Sequence, residues 1–146
     1  MADLFGALAA RPQLARTLAA HVRELDAGTI PPRTRELIAL MVAWLNACDY
    51  CTCVHEEIAR DVGVDEETLA TLGDFARSPL FSPAERAALA ATVALTREPR
   101  ALPAVLWDDL RTHYDEGGCV EIIAAIGLNN YLSRVVNALR LQPHAP

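Results

Sequence analysis

The sequence contains no lysine, and all 13 of its basic residues are arginine. Schiff-base catalysis by a side chain needs an amine and is therefore excluded. Acidic residues outnumber basic ones, with 19 Asp and Glu and a formal net charge of −6 at pH 7. This balance argues against nucleic acid and against an anionic membrane as partners, because both require a basic surface.

Long hydrophobic runs and a secretory signal are also missing. The longest uninterrupted apolar run, residues 37–45, falls short of the roughly 20 residues that span a bilayer. The first ten residues lack the basic start of a signal peptide. We therefore predict a cytoplasmic protein. In that compartment structural disulfides are rare, so closely spaced cysteines are typical of catalysis or metal binding.

Strand patterns are almost absent, and helix signals are dense. Leu14, Leu18 and Val22 recur at helical spacing after a proline suited to a first turn. The chain length and the hydrophobic content of 52% suit one domain over residues 1–146. The fold class predicted is all-α with about six to seven helices: 12–27, 32–45, 49–62, 65–73, 83–97, 103–114 and 119–141, with a chain break at Gly117-Gly118.

Three of the four cysteines lie in one short segment, Cys48–His55. At about 100° per residue, the side chains of Cys48, Cys51 and His55 fall within roughly 60° of one another on a helix. Cys53 lies roughly 140° from Cys48, on the opposite face. If the segment is helical, the first three residues can act together and Cys53 cannot join them.

This trio has a coherent redox chemistry. Two thiols three residues apart at a helix start can close a disulfide, and the helix N-terminus stabilises the thiolate that attacks peroxides or disulfides. His55, one turn after Cys51, can take the thiol proton. Attack on a peroxide gives a sulfenic acid, which a second thiol traps as a disulfide.

Glu36 can complete the group from the preceding helix. If the two helices form an antiparallel hairpin that turns near Ala47, Glu36 lies level with the second or third turn of the next helix. That position is nearer His55 than the cysteines. A carboxylate there would orient the imidazole.

Three plainer interpretations stay open at this point. Cys48 and Cys51 could be small buried hydrophobic residues, which is also our prediction for Cys53 and Cys119. The three clustered cysteines and His55 could bind structural zinc, although such sites usually join two separated ligand pairs. Glu36 could be a solvated charge near a helix start.

Glu36, eleven further residues and then Cys48-x-x-Cys51-x-x-x-His55 resemble the AhpD-like core motif of the carboxymuconolactone decarboxylase superfamily. The motif core covers residues 33–63. Further likeness lies in Arg35–Leu40, His55–Arg60, Ser82–Arg86 and Asn129–Arg134, of which the last two resemble the peroxidase-related branch.

The resemblance implies an AhpD-like helical bundle that forms a homo-oligomer, a trimer or a hexamer. Cys51 would attack the peroxide, Cys48 would be the resolving thiol and proton donor, and His55 with Glu36 would form a proton relay. Tyr50 occupies the place of a histidine of AhpD and is a candidate modulator. No cofactor is expected beyond the redox-active disulfide, which a protein partner, in some members one that carries a lipoyl group, would reduce.

The sequence therefore predicts a thiol-dependent peroxidase, an antioxidant enzyme that reduces peroxides by a dithiol–disulfide cycle. One alternative is a non-enzymatic redox sensor or adaptor that uses the same disulfide. Another is a lyase of the carboxymuconolactone decarboxylase type. Such decarboxylases lack the CxxC pair, which favours the peroxidase.

Overall fold

The computed structural model describes residues 2–98 and 100–143, with side chains described from residue 4 onwards. Within these ranges the chain is all-helical and contains no strand, as predicted. The helices are α1 (Ala2–Leu8), α2 (Pro12–Asp26), α3 (Pro32–Leu45), α4 (Asp49–Asp61), α5 (Glu66–Ala70), α6 (Pro83–Arg97), α7 (Ala104–His113) and α8 (Glu116–Ala138), with a short 3-10 helix at Leu72–Asp74.

Helix α3 is the centre of the molecule. Its residues 36–43 are all buried, and it packs against α4, α6 and α8. This confirms that the apolar run 37–45 is helical, which periodicity alone could not distinguish from a strand. The run is buried over residues 37–43, whereas Trp44 near its end is 59% exposed. Ala47 turns the chain into α4 with a positive φ of 49°, so α3 and α4 form the predicted hairpin.

Local end signals explain several helix boundaries. Gly63 follows α4 with φ +86°, a conformation that glycine adopts without strain. At the start of α6, Ser82 and Glu85 form a complete capping box. The Ser82 Oγ accepts the Glu85 N–H at 3.2 Å, and the Glu85 Oε2 accepts the Ser82 N–H at 2.8 Å.

Two predictions about the last helix were wrong. Gly117 and Gly118 do not break the chain but lie in the first turn of α8, because Asp115 caps that turn and its Oδ1 accepts the Gly118 N–H at 2.7 Å. The helix also ends at Ala138 rather than Leu141, since Arg140 takes a positive φ of 55°.

Helix α1 was not predicted. At seven residues it is too short for its periodicity to stand out from the sequence. Its Leu4 and Leu8 are nevertheless buried, in an apolar cluster that also holds Leu18 and Val136. The predicted fraying of the tail over 142–146 falls in part on residues 144–146, which lie outside the described part of the chain.

Of the described helices, α8 alone is long and apolar enough to cross a membrane by length and composition. This is weak evidence of a membrane span, because core helices of soluble proteins pass the same test. One side of α8 packs against α3 and α6, as a core helix does. Only 33% of its most apolar stretch is buried, however, so much of its apolar surface is uncovered.

The capping box provides a stability test. Replacing Ser82 by Ala removes the acceptor of the Glu85 N–H, so Ser82→Ala should lower the free energy of unfolding by about 1 kcal/mol. The melting temperature should fall by about 2–4 °C in thermal unfolding followed by circular dichroism. Ser82→Gly is the matched control and should cost only a few tenths of a kcal/mol. Equal losses in the two variants would contradict the capping role.

Candidate active site

Cys48 and Cys51 are joined as a disulfide at the start of α4, with a Cα–Cα distance of 5.3 Å. Cys48 is the N-cap residue of that helix, and its Sγ accepts the backbone N–H of Cys51 at 3.4 Å. The hairpin holds the cap in place, because the Cys48 N–H donates to the Ala43 carbonyl at 2.9 Å. The CxxC pair therefore lies at the start of a helix, as predicted.

Glu36 lies against His55, one turn after Cys51 in α4. The Glu36 Oε2 and the His55 Nδ1 are 2.8 Å apart, and Glu36 is only 9% exposed. Glu36 is thus not a solvated charge. An ionised carboxylate can only accept, so beside an ionised Glu36 it is the His55 Nδ1 that donates, and a neutral imidazole then offers Nε2 as an acceptor. This geometry suits a base held in one orientation.

The disulfide is nearly enclosed. Cys48 is 1% exposed and Cys51 is 8% exposed, so Cys51 is the more accessible half of the pair. Both belong to an apolar cluster that also includes the buried Tyr50, the candidate modulator. The cluster is completed by Leu4, Leu8, Leu18, Ala43 and Val136.

A pocket of about 290 Å³ opens beside the His55–Glu36 pair. Its wall comes from α2, α3, α4 and α8 and is mostly aliphatic: Val22, Leu25, Ala39, Ile58, Val62, Ala125, Leu128 and Leu132, with Asp26, Arg35 and Asn129 among them. The pocket wall also holds an ion pair between Arg35 and Asp26, at 3.5 Å. Three of the wall residues, Val22, Leu128 and Leu132, also pack against the cluster that holds the disulfide. The pocket and the disulfide therefore adjoin the same side chains.

The other two cysteines lie apart from this centre. Cys53 is exposed, which corrects our prediction that it packs in the core: its helix position turns it away from Cys48, Cys51 and His55. Among the described residues, no three His, Cys, Asp or Glu side chains are grouped to hold a metal ion. Cys119 is buried as predicted, its Sγ donates to the Tyr114 carbonyl at 3.7 Å, and burial raises the pKa of its thiol.

Sequence reasoning missed the pocket wall. Val22 and Leu25 were recognised as part of an apolar helical stripe, but such a stripe is the same whether it faces a packed core or a cavity. Leu128 and Leu132 are two of many apolar residues in α8, and their spacing alone does not show which of these line a cavity. Only the arrangement of the helices could identify these residues.

Comparison with known proteins gives a family and several relatives. The sequence pattern of the carboxymuconolactone decarboxylase family matches residues 12–94. The uncharacterised protein YdfG of Bacillus subtilis (strain 168) is 33% identical over 107 residues, which is 73% of each chain.

Solved structures show the same AhpD-like fold. ATU0492 of Agrobacterium tumefaciens, a protein of unknown function that has been related to the antioxidant defence protein AhpD, superposes with a TM-score of 0.89. That match has 25% identity and covers 96% of this chain and 97% of the other. The debrominase Bmp8, as a cysteine-to-alanine variant with 2,3,4-tribromopyrrole, gives a TM-score of 0.86 at 28% identity, over 94% of this chain and 74% of the other.

The different environments of the cysteines predict a labelling pattern. Without a reductant, an alkylating reagent such as iodoacetamide should modify Cys53 first, because Cys48 and Cys51 are oxidised and Cys119 is buried with a raised thiol pKa. Peptide mass spectrometry of the native protein measures this, with Cys53→Ser as the control that removes the fast reaction. Rapid labelling of Cys119 in that control would contradict the structure.

Proposed function

The chain belongs to the carboxymuconolactone decarboxylase family, and within it we propose that this protein is a thiol-dependent peroxidase that cycles between the Cys48/Cys51 dithiol and its disulfide. The observation that carries the proposal is a CxxC disulfide at a helix start, with a Glu36–His55 pair one turn away. Cys48, Cys51, His55 and Glu36 are the proposed catalytic group. We propose that the cycle takes place in the cytoplasm, where thiols are kept reduced.

The first step requires a thiolate at Cys51. In the reduced protein, His55 can remove the Cys51 proton, since the two residues are one helical turn apart and Glu36 holds the imidazole by Nδ1. Glu36 is a positioning residue in this scheme, because it contacts His55 and not the sulfur. The aliphatic wall of the adjoining pocket would accept the organic part of an alkyl hydroperoxide.

The cycle balances with one external dithiol. The Cys51 thiolate attacks the terminal oxygen of ROOH, the O–O bond breaks, and the leaving alkoxide takes a proton to give ROH. Cys51 is then a sulfenic acid. The Cys48 thiol attacks that sulfur, the S–OH bond breaks, and water leaves as the disulfide forms. An external dithiol returns both cysteines to thiols and is itself oxidised.

The unequal positions of the two sulfurs support these roles. Cys51 is the more exposed residue of the pair, so we propose that a peroxide or an incoming thiolate attacks there first. When a reductant attacks Cys51, the sulfur of Cys48 leaves, and the backbone N–H of Cys51 is already directed at that atom. A stabilised leaving thiolate speeds exchange. The reductant we propose is a protein dithiol, of which a lipoyl group is one chemical form.

Reductive dehalogenation is a second candidate, favoured by the likeness to Bmp8, a debrominase of the same fold. In that reaction a thiolate would take bromine from carbon, the carbon would gain a proton, and the second thiol would release bromide as the disulfide forms. The same dithiol supplies the two electrons. The two functions are distinguished by whether peroxide loss or bromide release accompanies oxidation of the pair.

Mutation of the proposed centre tests the function. With dihydrolipoamide as reductant, the wild type should consume cumene hydroperoxide catalytically, and Cys51→Ser should abolish turnover. His55→Ala should slow it about 10²–10⁴-fold, because the general base is lost, and Glu36→Ala should slow it by less. Cys53→Ser is the matched control and should keep full activity. Turnover that survives in Cys51→Ser would overturn the proposal.

Parallel assays separate the alternatives. Bromide release from 2,3,4-tribromopyrrole without peroxide turnover would indicate that the protein is a reductive dehalogenase and not a peroxidase. Oxidation once per chain, with no turnover under any dithiol, would indicate a redox sensor or adaptor. Turnover of a carboxylated lactone by Cys48→Ser/Cys51→Ser would indicate a lyase in which the thiols play no part.

A further inference from the structure

The pocket beside His55 has an arginine in its wall, Arg35, whose guanidinium is poorly satisfied. The side chain of Arg35 is only 15% exposed. Its Nη1 donates to the carbonyls of Leu25, Asp26 and Ile30, but each of these distances is 3.4 Å. A good N–H···O bond is about 2.7–3.2 Å long. The buried guanidinium is therefore held at one nitrogen, and only by long contacts.

The opposite edge of this guanidinium, formed by Nε and Nη2, has no hydrogen-bond acceptor in the described part of the chain. The Arg35 Nε is buried, and it meets the Asp26 Oδ1 at 3.5 Å as an ion pair without a hydrogen bond. The bonds that Arg35 donates all come from Nη1. Nε and Nη2 form the kind of fork that can bind both oxygens of one carboxylate. The pocket wall thus contains an unused bidentate donor.

Asp26 is a weak partner for this edge. Its side chain is 59% exposed, whereas that of Arg35 is 15% exposed. An exposed carboxylate keeps its water and gains little from an ion pair, but a largely buried guanidinium needs a close acceptor. A carboxylate that entered the pocket could therefore displace Asp26 at small cost and give Arg35 the shorter bonds that it lacks.

The other acid of the pocket wall, Glu36, is already occupied. Its Oε2 lies 2.8 Å from the His55 Nδ1, so its charge has a partner of its own. The pocket therefore has two separate polar places, the His55–Glu36 pair and the fork of Arg35, and the rest of its wall is mostly aliphatic. The ligand that matches these features is an acid with an aliphatic body.

The position of the guanidinium indicates how long that body must be. Arg35 contacts the carbonyl of Ile30, just before α3, whereas Cys48 follows α3, a helix of 14 residues and about 20 Å. Cys51 lies about one turn back along the antiparallel α4. A ligand with its carboxylate on Arg35 and its peroxide at Cys51 must therefore extend past His55 over roughly 15 Å. A short acid cannot do so, but an aliphatic chain of about a dozen bonds can.

We propose that Arg35 binds the carboxylate of the substrate, and that the preferred substrate is the hydroperoxide of a long-chain fatty acid. The choice of a hydroperoxide rests on the proposed peroxidase function, whereas the carboxylate site does not. The substrate carboxylate replaces Asp26 at the Nε–Nη2 edge of Arg35, and the chain lies against the aliphatic wall. Arg35 is then a residue that determines specificity and takes no part in the chemistry at sulfur.

Binding of an unreactive acid to the oxidised protein tests this site without any peroxide chemistry. In isothermal titration calorimetry at pH 7.5, decanoate should bind about tenfold or more tightly than decan-1-ol, its uncharged analogue. Arg35→Gln should weaken decanoate binding about 10–100-fold, because a charge-assisted bidentate pair is lost, and should change decan-1-ol binding far less. Arg23→Gln is the matched control, since Arg23 is exposed on α2 and lies outside the pocket wall. Circular dichroism confirms that each variant is folded.

Two further variants separate a binding role from a structural ion pair. Asp26→Asn removes the competing acid, so it should tighten decanoate binding about two- to fivefold. A pair that only stabilised the fold would give no such gain. Arg35→Lys should recover part of the affinity lost in Arg35→Gln, because the ammonium keeps the charge but not the fork.

Turnover then tests the substrate. Arg35→Gln should raise the KM for 13-hydroperoxyoctadecadienoic acid about tenfold or more, and far more than the KM for cumene hydroperoxide, which has no carboxylate. The kcat for the acid should change less than its KM. Arg23→Gln should keep the wild-type constants for both peroxides.

The outcomes distinguish this site from the function on which the substrate rests. Equal binding of decanoate and decan-1-ol by the wild type would overturn the proposal, as would decanoate binding that is unchanged in Arg35→Gln or weakened in Asp26→Asn. Turnover of cumene hydroperoxide without preference for the fatty-acid hydroperoxide would overturn the proposed substrate and leave the peroxidase function intact. Decanoate binding that depends on Arg35, with no turnover of any hydroperoxide, would support the carboxylate site and contradict the peroxidase function.

Discussion

The burial of α3 is the constraint on which the rest of the structure depends. A helix with apolar side chains on every face must be surrounded, and α4, α6 and α8 pack around this one. Glu36 lies on that helix, so its carboxylate is carried into the interior and needs a partner there. His55 supplies the partner at 2.8 Å. The same packing that excludes water from the core therefore sets the geometry of the proposed relay.

The hairpin then fixes the thiols relative to that relay. Ala47 turns the chain, and Cys48 caps α4 with its own sulfur, so the redox pair is part of the helix end itself. Reduction of the disulfide would therefore alter the N-cap of α4. Because α1, α2 and α8 enclose the cysteines, access to the sulfurs depends on elements far from the motif in sequence.

Much of this could be predicted from residue spacing, and the rest could not for identifiable reasons. The Glu36–His55 proximity followed from the length of a helical hairpin, and the exposed side of Cys53 followed from helix geometry, although we assigned that residue to the core. The pair Gly117-Gly118 misled us because glycine is a weak helix former by itself, whereas Asp115 supplies the missing acceptor for the first turn. The pocket depends on how four helices meet, which no local pattern specifies.

The central claim is that Cys48 and Cys51 exchange electrons with a substrate as one unit. Its most direct test is to add one equivalent of hydrogen peroxide to the reduced protein, quench with an alkylating reagent and map the cysteines by peptide mass spectrometry. We expect a rapid Cys48–Cys51 disulfide in the wild type and none in Cys51→Ser. If both cysteines of the wild type are recovered as alkylated thiols, the dithiol does not react with peroxide, and the proposed peroxidase function is contradicted.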